Sequence, residues 1–501
     1  MHSKTHQQPD WYLLPLSGSS TTELQQKSTA LTRYVQQYPY QTLPQIAASL
    51  CQETTHLPLR QAVLVNDVTY LAEQLARAEV RQSSRDSTST SPPVIFMFPG
   101  IGDHYANMAR GLYTRLPFFR EVLDRCDAVL RPFLHESLID LLYRDEAAPQ
   151  PGNGATPGLD LAAMLGRKTA APATNPVEAR LQETIIAHPL VFSVEYALAR
   201  QLQAWGLQPQ GLIGYSLGEY VAAALAGVLE LEAALTLVAR RAELIQALPG
   251  GKMLTVPLSR EAVAPYLSEH VSLSAHNGEA LTVLAGEADA ILDVQQQLLA
   301  QQIACRLLDT THAFHSHMMD TAVPHLNQLA RTVTYAAPQI PYLSNVTGTW
   351  ITPQQATDPT YWARHMCQPV QFYSMLQNLF HQAPMRHLVE VGPGQSLGAF
   401  ARQHPLCKHE QFAWIYPTLR YSYDNQDDHW FLLSTIRKLW LSGVDLQWQT
   451  INPAAPAHLP EAADTPQFFA TPQHNPERAM EQKERGEKRR QNRMRRRDHS
   501  K

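Results

Sequence analysis

The chain has 501 residues, 44% of them hydrophobic and 17% charged, and its net charge at pH 7 is −4. This balance is typical of an ordinary soluble globular protein with about two to four domains. The five cysteines lack the spacing of a zinc or redox motif, the N-terminus is polar, and glutamates interrupt the most apolar helical stretch, 221–238. We therefore expect a cytoplasmic protein with no membrane segment, bound cofactor or metal.

Residues 1–90 have the pattern of a small α/β unit. Apolar runs at 11–16 and 59–65 predict strands, and helical spacing covers 22–37 and 68–78. A stretch rich in Ser, Thr and Pro follows at 81–93 and predicts a linker to the next unit.

The main body, 91–403, alternates predicted strands with helices. The strands are expected at 94–98, in the apolar run before Ser216, at 342–346 and at 388–391. Such alternation indicates a mostly parallel sheet covered by helices on both faces. The active site of this kind of sheet lies at the carboxyl ends of the strands. The sequence puts Ser216, the turn at 99–102 and the loop at Gly392 there.

Residues 251–310 interrupt the main body with a second pattern. Strands are predicted at 252–256, 271–275, 281–285 and 304–308, and helices at 260–267 and 287–302. The order β-α-β-β-α-β predicts a small ferredoxin-like subdomain. The large subdomain then consists of 91–250 and 311–403, and a cleft with Ser216 at its floor is expected between the two.

Three further stretches predict less structure. Residues 146–176 predict a surface insertion, 404–450 a linker with a helix and a strand within 431–448, and 451–501 a disordered tail. From 477 onward, 11 Lys and Arg stand against 5 Asp and Glu, a local charge of +6 that leaves −10 on the rest. No aromatic residues are interleaved with these charges, so a nucleic-acid partner is not expected, and a weak grip on an acidic protein is the functional alternative.

The stretch 214–218, Gly-Tyr-Ser-Leu-Gly, carries the strongest chemical signal. It lies between an apolar run and a long helical pattern, the setting of a nucleophile elbow around Ser216. The N–H groups at the start of the helix would face developing negative charge there. In 501 residues such a pentapeptide also arises by chance, so the motif alone does not decide the function.

A serine hydroxyl needs a neighbouring base. His315, where the chain re-enters the large subdomain, is the best candidate, but the chain has 21 histidines and spacing alone favours a hydrogen-bonded surface residue. Arg240 and Arg241 share a helix, and solvent exposure is the default for such a pair. If Arg241 instead faces the cleft, its planar guanidinium suits a substrate carboxylate.

Four ordered motifs give the chain a specific resemblance. They are Phe-Pro-Gly-Ile-Gly at 98–102, Gly-Tyr-Ser-Leu-Gly-Glu-Tyr at 214–220, His-Ala-Phe-His at 312–315 and Val-Glu-Val-Gly-Pro-Gly at 389–394. Together, over residues 94–403, they resemble the acyltransferase domains of modular polyketide synthases and malonyl-CoA:acyl-carrier-protein transacylases. Residues 1–90 resemble the linker between ketosynthase and acyltransferase, and 404–450 resemble the linker after the acyltransferase.

The resemblance implies a hydrolase-like α/β fold and a role for each matched residue. The implied roles are acylated nucleophile for Ser216, general base for His315, carboxylate binding for Arg241, an oxyanion hole from the backbone N–H groups of Ile101 and Leu217, a backbone carbonyl at His365 that orients the base, and a polar cleft position for Asn277. Phe314 fills the space that an α-methyl group needs, which favours malonyl over methylmalonyl.

The implied reaction is transfer of a malonyl unit from CoA to the phosphopantetheine thiol of an acyl carrier protein. The carrier is expected in trans, with a ketosynthase-containing subunit as a further partner. Ile101 and Tyr215 depart from the family, which usually has Gln and His at these positions. The alternatives are a serine esterase or thioesterase on an α/β-hydrolase fold, a proofreading hydrolase of carrier-bound acyl groups, and an inactive scaffold.

Overall fold

The computed structural model describes residues 10–38, 40–53, 57–83, 91–144, 176–382 and 386–452. The predicted insertion, except its last residue, and the predicted basic tail, except 451 and 452, lie outside the described residues. Within the described ranges, no helix has the length and apolar character that crossing a bilayer requires.

The N-terminal unit is an antiparallel three-stranded sheet, in the order β1-β2-β3, packed against helices. Both long strands and the first helix occur where the sequence predicted them, whereas α2 was not predicted. A 3-10 turn, Val68–Tyr70, precedes α3. The elements are β1 (Tyr12–Gly18), α1 (Thr21–Gln37), α2 (Leu43–Glu53), β2 (Leu59–Val65), α3 (Leu71–Arg77) and β3 (Arg81–Gln82).

The first half of the large subdomain leads into the nucleophile region. The longest of its helices, α8, is buried along almost its whole length. Its elements are β4 (Val94–Phe98), α4 (Arg110–Arg115), α5 (Pro117–Leu134), α6 (Leu138–Leu142), α7 (Pro176–Leu181), α8 (Thr184–Ala204), β5 (Gly211–Gly214), α9 (Gly218–Leu225) and α10 (Leu231–Gln246).

The inserted subdomain is an antiparallel sheet with strand order β7-β8-β6-β9, the ferredoxin-like arrangement. The helix predicted at 260–267 is wrong, because turns and the 3-10 helix Ala264–Tyr266 occupy it. Pro265 lacks the N–H of a continuing helix and disfavours the α conformation before it. The elements are β6 (Lys252–Val256), β7 (Val271–Gly278), β8 (Leu281–Gly286), α11 (Ala288–Ala300) and β9 (Arg306–Leu307).

The chain then returns to the large subdomain. The strand predicted within 431–448 is wrong, since that stretch holds parts of two helices. Two 3-10 helices, His317–Ala322 and His409–Trp414, lie in this part of the chain. Its other elements are α12 (Val323–Ala330), β10 (Tyr342–Leu343), α13 (Pro353–Ala356), α14 (Pro359–Cys367), α15 (Phe372–Gln382), β11 (His387–Glu390), α16 (Ser396–Gln403), β12 (Ile415–Pro417), α17 (Asp428–Leu441) and α18 (Trp448–Ile451).

The central sheet has the strand order β10-β5-β4-β11-β12, and every neighbouring pair is parallel. The carboxyl ends of all strands therefore meet at one edge of the sheet. Strand β12 comes from the stretch 404–450, so this stretch adds an edge strand to the sheet. The division into domains proposed from the sequence stays a prediction.

A buried arginine joins the N-terminal unit to the C-terminal helices. The Arg60 side chain is fully buried, donates to the carbonyls of Trp440 at 2.8 Å and Val444 at 3.0 Å, and pairs with Asp445. Arg437 on α17 donates to the carbonyl of Ala62 in return. These long-range bonds tie two ends of the described chain into one packed body.

Replacing Arg60 with methionine should therefore destabilise the protein. Each buried carbonyl left without a donor costs about 1–3 kcal/mol, so we expect a loss of about 2–5 kcal/mol in the free energy of unfolding. Urea denaturation followed by tryptophan fluorescence measures it. Arg77→Met is the control, because Arg77 is exposed and pairs within its own helix. Equal changes in both variants would contradict the proposed role of Arg60.

Candidate active site

Ser216 lies in a sharp turn between strand β5 and helix α9. Its φ of +50° is in the left-handed region, which a non-glycine residue occupies rarely. At Gly218 a Cβ would lie 2.2 Å from the carbonyl oxygen of Phe98, so no other residue fits against strand β4. The predicted nucleophile elbow is therefore the observed local geometry.

His315 is the hydrogen-bond partner of the serine hydroxyl. Its Nε2 lies 2.6 Å from Oγ of Ser216, and its Nδ1 lies 3.0 Å from the carbonyl oxygen of Gln368. A carbonyl only accepts, so the proton resides on Nδ1 and the Nε2 lone pair faces the serine. The resemblance implied the carbonyl of His365 for this orienting role, and a backbone hydrogen bond with His365 also acts on the ring.

Burial lowers the pKa of His315 to about 3, and the charges of His365 and Arg241 act in the same direction. The ring is therefore neutral and able to accept a proton well below the ordinary histidine pKa of about 6.5. This corrects the surface position that spacing alone favoured.

The rate of Ser216 acylation should accordingly stay flat between about pH 5 and 8, where an unperturbed histidine would titrate. Single-turnover loading at a series of pH values measures it. Stability should behave differently. Below about pH 6.5 the histidine binds a proton in the unfolded chain but stays neutral in the folded chain, so the free energy of unfolding should decrease as the pH is lowered. An acylation rate that halves near pH 6.5 in folded protein would contradict this protonation state.

The loop after strand β4 presses against the elbow. Gly100 has a φ of +70°, and a Cβ on it would lie 2.6 Å from the carbonyl oxygen of Tyr215 and 3.5 Å from the amide nitrogen of Leu217. The buried carboxyl of Glu195 accepts from the Gly100 N–H at 2.7 Å and so holds the loop in position. The N–H groups of Ile101 and Leu217 donate to no other described residue, so both are available to an oxyanion.

Arg241 is buried, in contrast to its neighbour. Arg240 is half exposed and pairs with Glu243, whereas Arg241 is 1% exposed and makes no ion pair with any described residue. Its Nη1 lies 2.9 Å from Nδ1 of His188, and its guanidinium lies over the ring of Tyr220. A buried cation without an anion is expensive unless a ligand supplies one.

Phe314 packs against His188, the hydrogen-bond partner of Arg241, with the two ring centroids 5.5 Å apart. Burial raises the pKa of the Tyr215 hydroxyl to about 12, and a hydrogen bond with Asn277 opposes the rise. The Tyr215 ring contacts Phe372 at 5.5 Å, so the tyrosine fits the position as an aromatic packing residue. Asn277 Oδ1 has no hydrogen-bond partner in the described part of the chain.

A buried polar network underlies the nucleophile. Asn345 accepts from the backbone N–H of Ser216 at 2.8 Å and donates to the carbonyl of Gly214 at 2.6 Å. Glu219, fully buried, accepts from the backbone N–H of Asn345 at 2.8 Å and from the hydroxyl of Tyr361. The network holds the strained serine in place through its backbone N–H.

His365 lies close to the same network. Its Nε2 lies 3.2 Å from Oε2 of Glu219, and its ring centroid lies 5.8 Å from that of His315. The side chain of His365 thus links the support of the nucleophile to the general base.

The sequence analysis missed His188, Asn345, Glu219, Gln368 and Glu195. Asn345 lies two residues after the end of strand β10, so its position just beyond a strand end was the available signal. The others lie within helices or loops whose partners are distant in sequence. Among the described residues, no group of three or more His, Cys, Asp or Glu side chains is arranged to hold a metal ion.

A parallel sheet that presents a serine–histidine pair beside an oxyanion loop defines a class of serine-dependent acyl-transfer and hydrolase folds. The sequence matches the family described as acyl transferase domain over residues 95–445. A component of the phenolphthiocerol/phthiocerol polyketide synthase of Mycobacterium tuberculosis is 33% identical over 472 residues, which is 92% of this chain and 29% of that protein. Polyketide synthase GfsB of Streptomyces halstedii is 30% identical, over 90% of this chain and 8% of that protein.

Solved structures agree. The acyl transferase domain of ZmaA is 30% identical with a TM-score of 0.75, covering 89% of this chain and 97% of that one. The acyl transferase domain of SpnD, in complex with 2-(pent-4-yn-1-yl)malonyl, is 31% identical with a TM-score of 0.72, covering 88% and 98%. This chain therefore belongs to the acyltransferase family of polyketide synthases and has its hydrolase-like fold with a ferredoxin-like subdomain. It spans less than a third of the two relatives' lengths.

Proposed function

We propose that this chain transfers a malonyl unit from CoA to the phosphopantetheine thiol of an acyl carrier protein through an acyl-Ser216 intermediate. The observation that carries the proposal is the 2.6 Å contact between Ser216 Oγ and His315 Nε2, made near a buried guanidinium that has no anionic partner among the described residues. A nucleophile with a base and a diacid-binding cation is the equipment that such a transfer needs.

The first step forms the acyl-enzyme. The Oγ of Ser216 attacks the thioester carbonyl of malonyl-CoA while His315 Nε2 takes the hydroxyl proton. The N–H groups of Ile101 and Leu217 stabilise the oxyanion. The carbon–sulfur bond then breaks, and His315 returns the proton to the departing CoA thiolate.

The second step reverses these roles with a different thiol. His315 takes the proton of the phosphopantetheine thiol, whose sulfur attacks the acyl ester on Ser216. The carbon–oxygen bond breaks, and Ser216 regains its proton from His315. No cofactor beyond the two thiol carriers takes part in this scheme.

The malonyl assignment rests on Arg241 and Phe314. Arg241 supplies the charge for the free carboxylate, and Phe314 occupies the space beside it, where an α-methyl group would overpack at a cost of about 1–3 kcal/mol. The neighbour bound to a substituted malonyl group supports a diacid pocket in this fold. We further propose that the carrier acts in trans, that a ketosynthase-containing subunit is a partner, and that the reaction takes place in the cytoplasm.

Arg241→Ala should remove the preference for a diacid. A hydrogen bond to a charged group contributes about 1.5–3 kcal/mol, so its loss should slow malonyl loading roughly ten- to hundredfold. Acetyl loading should stay unchanged, because an acetyl group has no free carboxylate. Intact-protein mass spectrometry after timed mixing with malonyl-CoA or acetyl-CoA measures both. Arg240→Ala, next to it but exposed, is the matched control. Equal losses for the two substrates would contradict the proposed carboxylate site.

A proofreading hydrolase remains the second candidate, because Ile101 in the oxyanion loop is apolar and packs against the core, whereas the family usually has a polar residue at this position. The lifetime of the acyl-enzyme separates the two functions. Without carrier, an acyl group that survives until carrier is added supports transfer, whereas immediate release of free malonate supports hydrolysis.

A further inference from the structure

Strand β7 of the small subdomain contains a β-bulge at Ser274. The residues on either side of it, 273 and 275, pair with two successive residues of strand β8, 284 and 283. Ser274 is therefore an extra residue that has no partner on β8. Such a bulge bends its strand and changes the direction of a side chain, and bulges are over-represented next to active sites. Ser274 is 1% exposed, so its hydroxyl needs a partner inside the protein.

The bulge residue bonds instead to two segments of the large subdomain. The Ser274 hydroxyl donates to the carbonyl of Phe314 at 2.9 Å, and the Ser274 carbonyl accepts from the N–H of Val370 at 2.9 Å. Phe314 directly precedes His315. Val370 follows by two residues Gln368, whose carbonyl accepts from the Nδ1–H of His315. One residue of the small subdomain thus joins the general base to the segment that orients its ring.

The backbone at His315 needs such support. Its φ of +57° is in the left-handed region, which a non-glycine residue adopts only where the surrounding structure holds it. The bond from Ser274 holds the peptide group between Phe314 and His315, about which this strained φ is defined. A second serine on β7, Ser272, accepts from the backbone N–H of His317 at 3.2 Å. Strand β7 therefore holds the chain on both sides of the base.

We propose that Ser274 is a positioning residue for the general base, which it keeps within reach of the nucleophile. The assignment rests on the proposed function, in which His315 takes the proton of Ser216. Ser274 acts through the backbone of the histidine loop and contacts neither substrate nor the reacting atoms. The small subdomain then has a part in the chemistry, because its bulge fixes where Nε2 of His315 points.

Two variants separate positioning from packing. Ser274→Ala removes the hydroxyl and leaves the backbone bond to Val370 in place. Ser274→Thr keeps a hydroxyl on the same carbon, and threonine suits a strand. Ser193→Ala is the matched control, because Ser193 is also buried and donates its hydroxyl to a backbone carbonyl, that of Pro189 at 2.7 Å, within helix α8.

The measurements are kcat and KM for acylation by malonyl-CoA, with the thermal midpoint of each variant. We expect Ser274→Ala to lose roughly ten- to hundredfold in kcat with KM unchanged, because a small displacement of the base acts on the transition state and not on substrate binding. Ser274→Thr should recover most of the loss, and Ser193→Ala should keep the wild-type kcat. Wild-type kcat in Ser274→Ala, an equal loss in Ser274→Thr or Ser193→Ala, or a change in KM alone would overturn the assignment.

A fluorophosphonate probe separates this assignment from the proposed function. The probe reacts with a serine that a neighbouring base activates and needs neither a thioester nor a carboxylate. Labelling of Ser216 should slow in Ser274→Ala by the same factor as kcat, and labelling at the wild-type rate would overturn the positioning role. Wild-type protein that the probe labels but that forms no malonyl-enzyme would overturn the proposed function, while slower labelling of Ser274→Ala would still support the positioning role.

Discussion

Replacing Ser216 with alanine is expected to abolish formation of the malonyl-enzyme, with the loading rate falling at least about ten-thousandfold. The reason is that Oγ is the atom that forms the covalent bond, and His315 is placed to take its proton at 2.6 Å. Alanine leaves the oxyanion donors and Arg241 intact, so substrate binding should persist without acylation.

The two members of the pair should behave as a unit. His315→Ala should cost about as much as Ser216→Ala, and the double variant little more than either, because neither group works without the other. Radiolabelled malonyl-CoA followed by gel analysis measures covalent loading. Ser193→Ala is the control, since Ser193 is buried and bonds a backbone carbonyl in its own helix. Wild-type labelling of Ser216→Ala would rule out the acyl-serine mechanism.

Local patterns in the sequence were sufficient for the nucleophile and for the class of fold. A strand, a tight turn with two glycines and a helix form one continuous stretch, so the geometry around Ser216 depends on neighbours in sequence. The alternation of strands and helices likewise predicted the parallel sheet. The family and the hydrolase-like fold were confirmed by the match over 95–445.

Burial of charged groups could not be derived from spacing. Arg240 and Arg241 are adjacent, yet one is half exposed and the other fully buried. On helix α10 the position three residues after Val238 faces the same side as that buried valine, so helical geometry allowed the burial of Arg241. The burial of Arg241 depends on the packing of α8, which brings His188 to the guanidinium.

Short elements escaped prediction for a different reason. Strand β12 has three residues and includes a proline, too few to show an alternating pattern. Its parallel pairing with β11 comes from tertiary contacts. The same limit applied to β10, which ends at Leu343 and leaves Asn345 in a turn rather than in the predicted strand.

Asn345→Ala is expected to lower kcat for acylation by about a hundredfold with little change in KM, because misplacing a nucleophile by about 1 Å can have an effect of this size. Asn345 accepts from the N–H of Ser216 across 129 residues of sequence and donates to Gly214 just before the turn. The Asn345 side chain also donates to the Glu219 carboxylate at 2.5 Å, so in its absence the N–H of the serine, the carbonyl of Gly214 and that carboxylate each lose a buried partner. The strained φ at Ser216 then loses its support.

A structural role alone would give a different result from a positioning role. Asn452→Ala is the matched control, because Asn452 is also buried and donates its amide to a carbonyl, that of Leu13, in the N-terminal unit. Both variants should lose stability, and Asn345→Ala more than Asn452→Ala. The reason is that Asn345→Ala leaves the Ser216 N–H, the Gly214 carbonyl and the Glu219 carboxylate each short of a partner, whereas Asn452→Ala leaves the Leu13 carbonyl without its donor. Only Asn345→Ala should lose acylation rate in protein that is still fully folded. Equal losses of acylation rate in the two variants, or a higher KM with an unchanged kcat, would contradict the proposal that Asn345 positions the Ser216 nucleophile.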